Sequence, residues 1–199
     1  MCRAVPSGDT KDVTNTFTFG KVNIKLDEAT LDKETGKATS DPRTETGNTD
    51  VRLIPGRKIA KDPTVTVLAN SEACYVRMKV TVENFDNLKA VLPADKYPSY
   101  YNGSMFLLQN LCEWNSDSWE CVSVNDNVYE FRYKAGAVAK AASDNALPAL
   151  FKSITVPGAA VTNANIETLA KVKIIVTAEA VQAEGFADAN TAWAAITTP

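Results

Sequence analysis

The sequence predicts a mainly β protein, with two packed antiparallel sheets arranged as a jelly roll and a few short helices. Polar and apolar side chains alternate strictly over residues 74–82, which indicates a strand with one dry face. A second alternating run covers residues 169–181, and turn signals such as Pro55-Gly56 separate the strands. About eight such strands, with no regular helices between them, favour two stacked sheets. The side chains expected on the dry face of the first run are Cys74, Val76, Met78, Val80 and Val82.

The N-terminal region is expected to begin with a flexible segment, residues 1–13, followed by a single domain over residues 14–199. The chain becomes extended after residue 14, but its apolar side chains change phase at Gly20. Either a bulge at this glycine returns all of them to one face, or two short strands face different partners. The side chains concerned are Phe17, Phe19, Val22, Ile24 and Leu26.

Residues 27–50 are polar and have no periodic apolar pattern, so they predict a long surface loop. Asp27, Glu28 and Asp32 do not match the calcium-loop pattern, and we therefore interpret the segment as solvated. Strands are predicted over residues 51–54, 64–68 and 74–82.

The middle of the chain predicts a short helix over residues 84–91, with Asn84 or Asp86 as its cap. Beyond it we expect an irregular Pro- and Tyr-rich segment (96–102), a hairpin (105–112 with 119–124), a strand (128–133) and an Ala-rich helical turn (136–145).

The C-terminal part predicts a strand over residues 150–158, the strand over residues 169–181, and a closing helix. Asp188 is expected to cap that helix. Trp193 and Ile196 follow at an i, i+3 spacing, which places them on one helix face that packs onto the sheets.

Four cysteines are present, and two of them bracket a turn-like segment. A hairpin would bring Cys112 and Cys121 to a spacing that a disulfide tolerates, and the alternative is two unpaired buried thiols. A bridge would argue for an oxidising compartment. Cys74 is expected to act as a small buried hydrophobe, and nothing in the sequence supports a bridge from Cys74 to Cys2.

Composition excludes several classes of function. The net charge of −3 gives no electrostatic attraction to nucleic acid, and no apolar run is long enough to span a bilayer. The sequence contains no histidine, which removes the Ser-His-Asp triad and the His-Glu-x-x-His zinc site. Asp117, Asp126 and Glu130 lie near an aromatic-rich hairpin, but nothing places two of them at a defined separation. We therefore predict no enzyme, no cofactor and no metal site.

The first residues of the chain lack the apolar core of a signal peptide. The protein is therefore expected to be either cytosolic or the mature form of a secreted protein, and we favour the second.

Several blocks of the sequence resemble the TasA/camelysin family, which comprises secreted proteins of Gram-positive bacteria with SipW-type signal peptides. The resemblance extends from about Thr14 to Ile196, with a divergent middle, and its motifs are structural rather than catalytic. The blocks are residues 14–24, Leu53-Ile54-Pro55-Gly56, residues 61–67, Tyr75-Val76-Arg77-Met78-Lys79-Val80, residues 175–182, Glu184-Gly185-Phe186 and Ala192-Trp193.

The resemblance implies an exported jelly-roll protein of the cell surface or biofilm matrix that self-associates into fibres, alone or with other matrix proteins. In such fibres an N-terminal strand of one subunit completes a sheet of its neighbour, because a donated strand satisfies the unpaired N–H and C=O groups of an open edge. The donor is expected in the segment before Lys21, and an ordinary first strand of the same domain is the alternative. The candidate strand-exchange residues are Phe17, Phe19, Val22 and Ile24.

A surface adhesin that contacts host or glycan ligands is the alternative function. Its motivation is a set of aromatic residues in irregular or hairpin-tip segments, where exposed rings often form contact patches. Packing of the same rings over the ends of the sandwich is the opposing interpretation. The candidate contact residues are Tyr100, Tyr101, Trp114 and Trp119.

Overall fold

The computed structural model describes residues 21–101 and 108–197, and it confirms a mainly β protein with antiparallel sheets. The strands are β1 (Ile24–Asp27), β2 (Lys58–Ala60), β3 (Thr64–Val67), β4 (Cys74–Glu83), β5 (Cys112–Trp114), β6 (Trp119–Asn125), β7 (Val128–Tyr133), β8 (Asn145–Ala146), β9 (Phe151–Thr155) and β10 (Lys173–Gln182). The helices are α1 (Phe85–Val91), α2 (Leu108–Leu111), α3 (Ile166–Leu169) and α4 (Ala189–Thr197), with a 3₁₀ helix at Pro98–Tyr101.

One layer is a four-stranded antiparallel sheet in the order β10-β4-β7-β6. At its centre β4 pairs with β10 over ten residues without a register shift. The alternation predicted for β4 is confirmed, because all five side chains expected on its dry face are buried. These alternating residues form the floor of the core.

The other six strands form two three-stranded sheets, β1-β3-β8 and β2-β9-β5. A backbone hydrogen bond joins them, since the Leu150 N–H, just before β9, donates to the Pro63 carbonyl, just before β3 (3.0 Å). We call these two linked sheets the opposite layer, because their buried residues share one core with those of the four-stranded sheet.

Aromatic rings connect the layers. The Phe131 ring of β7 lies 5.7 Å from Trp114 of β5 and 6.1 Å from Phe151 of β9, measured between ring centroids. Such tilted and edge-to-face contacts add to the apolar area that large rings bury. Residues from both layers thus share one core.

The outer face of the four-stranded sheet carries a buried arginine. Arg77 of β4 donates from Nε to Glu179 of β10 (2.6 Å) and from Nη1 to Glu130 of β7 (3.2 Å). Its guanidinium also lies 4.1 Å from the ring centroid of Trp193 on α4.

The predicted cap of α4 is confirmed, since Asp188 Oδ1 accepts a hydrogen bond from the Thr191 N–H (2.8 Å).

The predicted hairpin between residues 105–112 and 119–124 is wrong for the part that the structure describes. β5 pairs with β9 and β6 pairs with β7, so the turn after Trp114 crosses from one layer to the other. The predicted disulfide is also absent from the structure, in which Cys112 and Cys121 are free thiols on different sheets. Burial raises the pKa of Cys112 to about 12 and the pKa of Cys121 to about 11.

Three local predictions also differ from the structure. Residues 51–54 form no strand, and residues 136–145 form a bridge and the start of β8 instead of a helical turn. The second alternating strand begins at Lys173 rather than at residue 169, because α3 occupies the preceding segment. The segment 27–50 is largely exposed, as predicted, and antiparallel bridges such as Glu28 with Thr44 also connect it to itself.

Within the described residues, no helix has the length and apolar character needed to cross a membrane.

Candidate functional site

The two edges of the four-stranded sheet differ in how well they are protected. β6 has seven residues, and its pairing with β7 shifts register between Cys121 and Ser123, so that Val122 forms a bulge. Bulges and short lengths discourage pairing with another chain. β10 is longer, has no register shift and hydrogen-bonds only to β4 among the described strands. Among the described strands, the edge of β10 is therefore the open one.

The sequence of β10 lacks the usual protection of an edge. It contains no proline, and its only lysine is Lys173 at the first position. Ile175 is exposed on this strand, and Val122 and Val124 are exposed to the same extent on β6, so exposed apolar side chains do not distinguish the two edges. The difference between them is the length and regularity of their pairing. Half of the backbone N–H and C=O groups of an edge strand point away from its partner, so this edge can accept a further strand.

A cavity of about 780 Å³ lies between β10 and β1. β1 belongs to the opposite layer and packs beside β10, but it hydrogen-bonds only to β3 within the described chain. We call this cavity the edge groove. Apolar side chains from both layers line it, including Leu26, Leu31, Leu53, Ile59, Ile174 and Val176.

Burial along the β4–β10 ladder shows that the groove reaches the core. Val82 and Val80 of β4 are 1% and 0% exposed, respectively. Their partners on β10, Ile174 and Val176, point to the same face but are only half-buried. Within the described residues, the inner face is therefore well covered at β4 and less well covered at β10.

Buried carboxylates order the polar rim of the groove. Asp27 accepts hydrogen bonds from Arg43 Nε (2.6 Å) and forms an ion pair with Lys25 Nζ (2.8 Å). Burial alone would raise the pKa of Asp27, but the hydrogen bonds from Lys25 and Arg43 outweigh it and hold that pKa below its ordinary value. Glu28, the next residue, binds Lys61 and Asn48. These contacts hold residues 44–50 against the groove.

Asp27→Asn is expected to lower the free energy of unfolding at pH 7 by about 1.5–3 kcal/mol, because charged hydrogen bonds are lost. Asp27 has a lowered pKa in the folded protein, so its stabilisation is complete above its unfolded pKa, about 3.9. That stabilisation is lost as the pH falls through the folded pKa. Urea unfolding at pH 7 and at about pH 2 measures the difference between the two proteins. A gap of equal size at both pH values would contradict this assignment.

The candidate strand-exchange residues fall in two places. Phe17 and Phe19 lie outside the described residues, so the prediction for them stays open. Ile24 pairs with Val67 in β1–β3, and Val22 packs against the core of the same domain. Ile24 therefore lies in the first strand of its own domain and Val22 lies just before that strand, so both are held within one domain in this structure. Their role in strand exchange stays a prediction.

The candidate contact aromatics are mostly engaged inside the fold. Trp119 is 0% exposed and donates from Nε1 to the Pro148 carbonyl (2.8 Å), so its prediction as a surface contact is wrong. Trp114 is half-buried against Phe131. Tyr101 donates its hydroxyl to the Leu92 carbonyl, and Tyr100 is half-buried. These contacts favour the interpretation in which the rings pack over the ends of the sheets rather than form a contact surface.

The open edge of β10 could not be predicted from the sequence, because alternation predicts a strand but not its neighbours. Comparisons of the chain with protein-family models, with curated proteins and with solved structures give no match.

Proposed function

We propose that the protein is a secreted structural subunit of the bacterial cell surface or biofilm matrix, which assembles by β-strand addition at the edge of β10. The observation that supports this proposal is the ten-residue, unbulged edge beside an apolar groove. An added strand satisfies the free backbone groups, and its alternate side chains fill the groove. We also propose that the two layers form a jelly roll of the TasA/camelysin type.

The donor in this proposal is the segment that ends at Gly20 of a second copy. Its Phe17 and Phe19 alternate with threonines, which gives the strand one apolar face for the groove. The Lys21 carbonyl accepts a hydrogen bond from the Glu72 N–H (3.0 Å), just before β4, and Cys74 at the start of β4 pairs with Gln182 of β10. Lys21, to which the donor segment is joined, thus lies near one end of the open edge.

Deletion of residues 1–19 is expected to abolish assembly, because the domain keeps its acceptor edge but loses the donor strand. Sedimentation and electron microscopy of the full chain and the shortened chain over a range of concentrations measure this effect. The shortened chain is also expected to bind a synthetic peptide of residues 11–20 in a fluorescence-polarisation assay.

A peptide with Phe17→Ser and Phe19→Ser is the matched control, and it is expected to bind at least about tenfold more weakly because its anchors are lost. A full chain that stays monomeric at every concentration would contradict the proposal. Equal assembly of both chain lengths would contradict the choice of donor.

That the protein is not an enzyme stays a prediction, which rests on the absence of histidine from the whole sequence. The adhesin alternative has less support than fibre assembly, because the aromatic residues that motivated it are buried or packed.

A further inference from the structure

We propose that Lys61 and Asn48 form an intramolecular isopeptide bond, with Glu28 as the group that carries protons between them. The bond would be an amide between Lys61 Nζ and Asn48 Cγ. It would tie the loop over the edge groove to the segment between β2 and β3. This inference is independent of the proposed assembly, because every group in it belongs to one domain.

A single carboxylate contacts both reacting groups. Glu28 Oε2 lies 2.5 Å from Lys61 Nζ, and Glu28 Oε1 accepts a hydrogen bond from Asn48 Nδ2 (2.9 Å). The Asn48 backbone N–H donates to the same Oε1 (3.2 Å), which fixes the loop against the carboxylate. A nucleophile and its leaving group that contact one base meet the proton-transfer requirement of acyl transfer.

The amide of Asn48 is held as an electrophile. Its Oδ1 accepts a hydrogen bond from the Leu31 N–H (2.8 Å), and its Nδ2 donates a second hydrogen bond to the Ala29 carbonyl (2.9 Å). A backbone N–H at the carbonyl oxygen stabilises the negative charge that develops there when an amine attacks Cγ. The two bonds also hold the amide in one orientation.

The surroundings favour this transfer. The side chains of Glu28 and Lys61 are 8% and 17% exposed, respectively, and both lie at the edge groove beside Leu26, Leu31 and Leu111. Apolar walls limit the access of bulk water to the two reacting groups, which favours attack by the lysine amine over attack by water. Lys33, in contrast, forms its ion pair with Asp50 at the surface.

The step balances without an oxidant or a cofactor. The Lys61 ammonium passes one proton to Glu28, and the free amine attacks Asn48 Cγ to form the new C–N bond. A second proton moves from the attacking nitrogen to Nδ2, the Cγ–Nδ2 bond breaks, and ammonia leaves. Glu28 then releases its proton to the ammonia, so that the products are a neutral amide and one ammonium ion.

Intact-mass spectrometry of the purified full chain tests the proposal. The protein is expected to weigh about 17 Da less than its sequence, the mass of the ammonia that a lysine nucleophile displaces. Proteolysis is expected to yield one branched peptide that joins position 48 to position 61. A full sequence mass, with no branched peptide, would overturn the proposal.

Lys61→Arg is the decisive variant, because it keeps a cation beside Glu28 but removes the amine nucleophile. The measured mass of this variant is expected to equal the mass calculated from its sequence. Glu28→Gln is expected to give the same result, with circular dichroism used to confirm that each variant folds. Lys33→Ala is the matched control and is expected to keep the mass deficit. A deficit that persists in Lys61→Arg would indicate ring closure of Asn48 alone and would also overturn the proposal.

Discussion

Trp119→Ala is expected to lower the free energy of unfolding by about 3–5 kcal/mol, the range for removing a buried large aromatic side chain. Trp119 has no exposed surface, and its ring centroid lies 5.4 Å from that of Tyr133. The substitution also leaves the Pro148 carbonyl without the donor that Trp119 Nε1 supplies. Urea denaturation followed by circular dichroism measures the loss.

Trp114→Ala is the matched control, because Trp114 is also a tryptophan that contacts another aromatic ring, that of Phe131, but is only half-buried. Its expected loss is smaller, at about 1–3 kcal/mol, since part of its ring is already in contact with water. A loss below about 1 kcal/mol for Trp119→Ala would contradict the assignment of this side chain to the core.

Arg77→Ala is expected to lower the free energy of unfolding by about 3 kcal/mol, because removing one partner of a buried ion pair leaves the other uncompensated. Arg77 is 5% exposed and contacts Glu130, Glu179 and the ring of Trp193. The substitution removes an ionic bridge across three strands and the contact that holds α4 on the sheet. Thermal and urea unfolding, together with near-ultraviolet circular dichroism of Trp193, measure both effects.

Lys79→Ala provides the comparison for Arg77. Lys79 binds the same carboxylate, Glu179 (3.2 Å), but is one third exposed, and such pairs contribute less than about 1 kcal/mol. Equal losses for the two substitutions would show that burial of Arg77 does not determine its contribution.

The part of the fold that the sequence could predict is the part encoded by local periodicity. The alternation of apolar and polar side chains predicted β4. In the folded protein that alternation matches burial on one face, and β4 pairs with a strand on each side. The hairpin prediction failed because turn residues after Trp114 define a change of direction but not which strands pair. In the folded protein that turn joins two layers, because β5 pairs with β9 and β6 pairs with β7.

The candidate sites could not be predicted for a different reason. Residues 27–50 have no apolar period, and their order comes from buried carboxylates that bind partners distant in sequence, such as Glu28 with Lys61. Such contacts depend on the tertiary fold and have no spacing rule. The local sequence also does not predict the open edge of β10, because a strand has the same alternating pattern whether one or two strands flank it.

The bulge at Val122 makes the two borders of the large sheet unequal. If assembly proceeds as we propose, each molecule contributes one receptive side and one inserting tail, and its blunted side stays unused. Molecules joined in this way all point in the same direction. The resulting filament has two chemically distinct tips, one with an empty acceptor edge and one with a free N-terminal segment, and the bulge at Val122 keeps the other border of the sheet from joining filaments side by side.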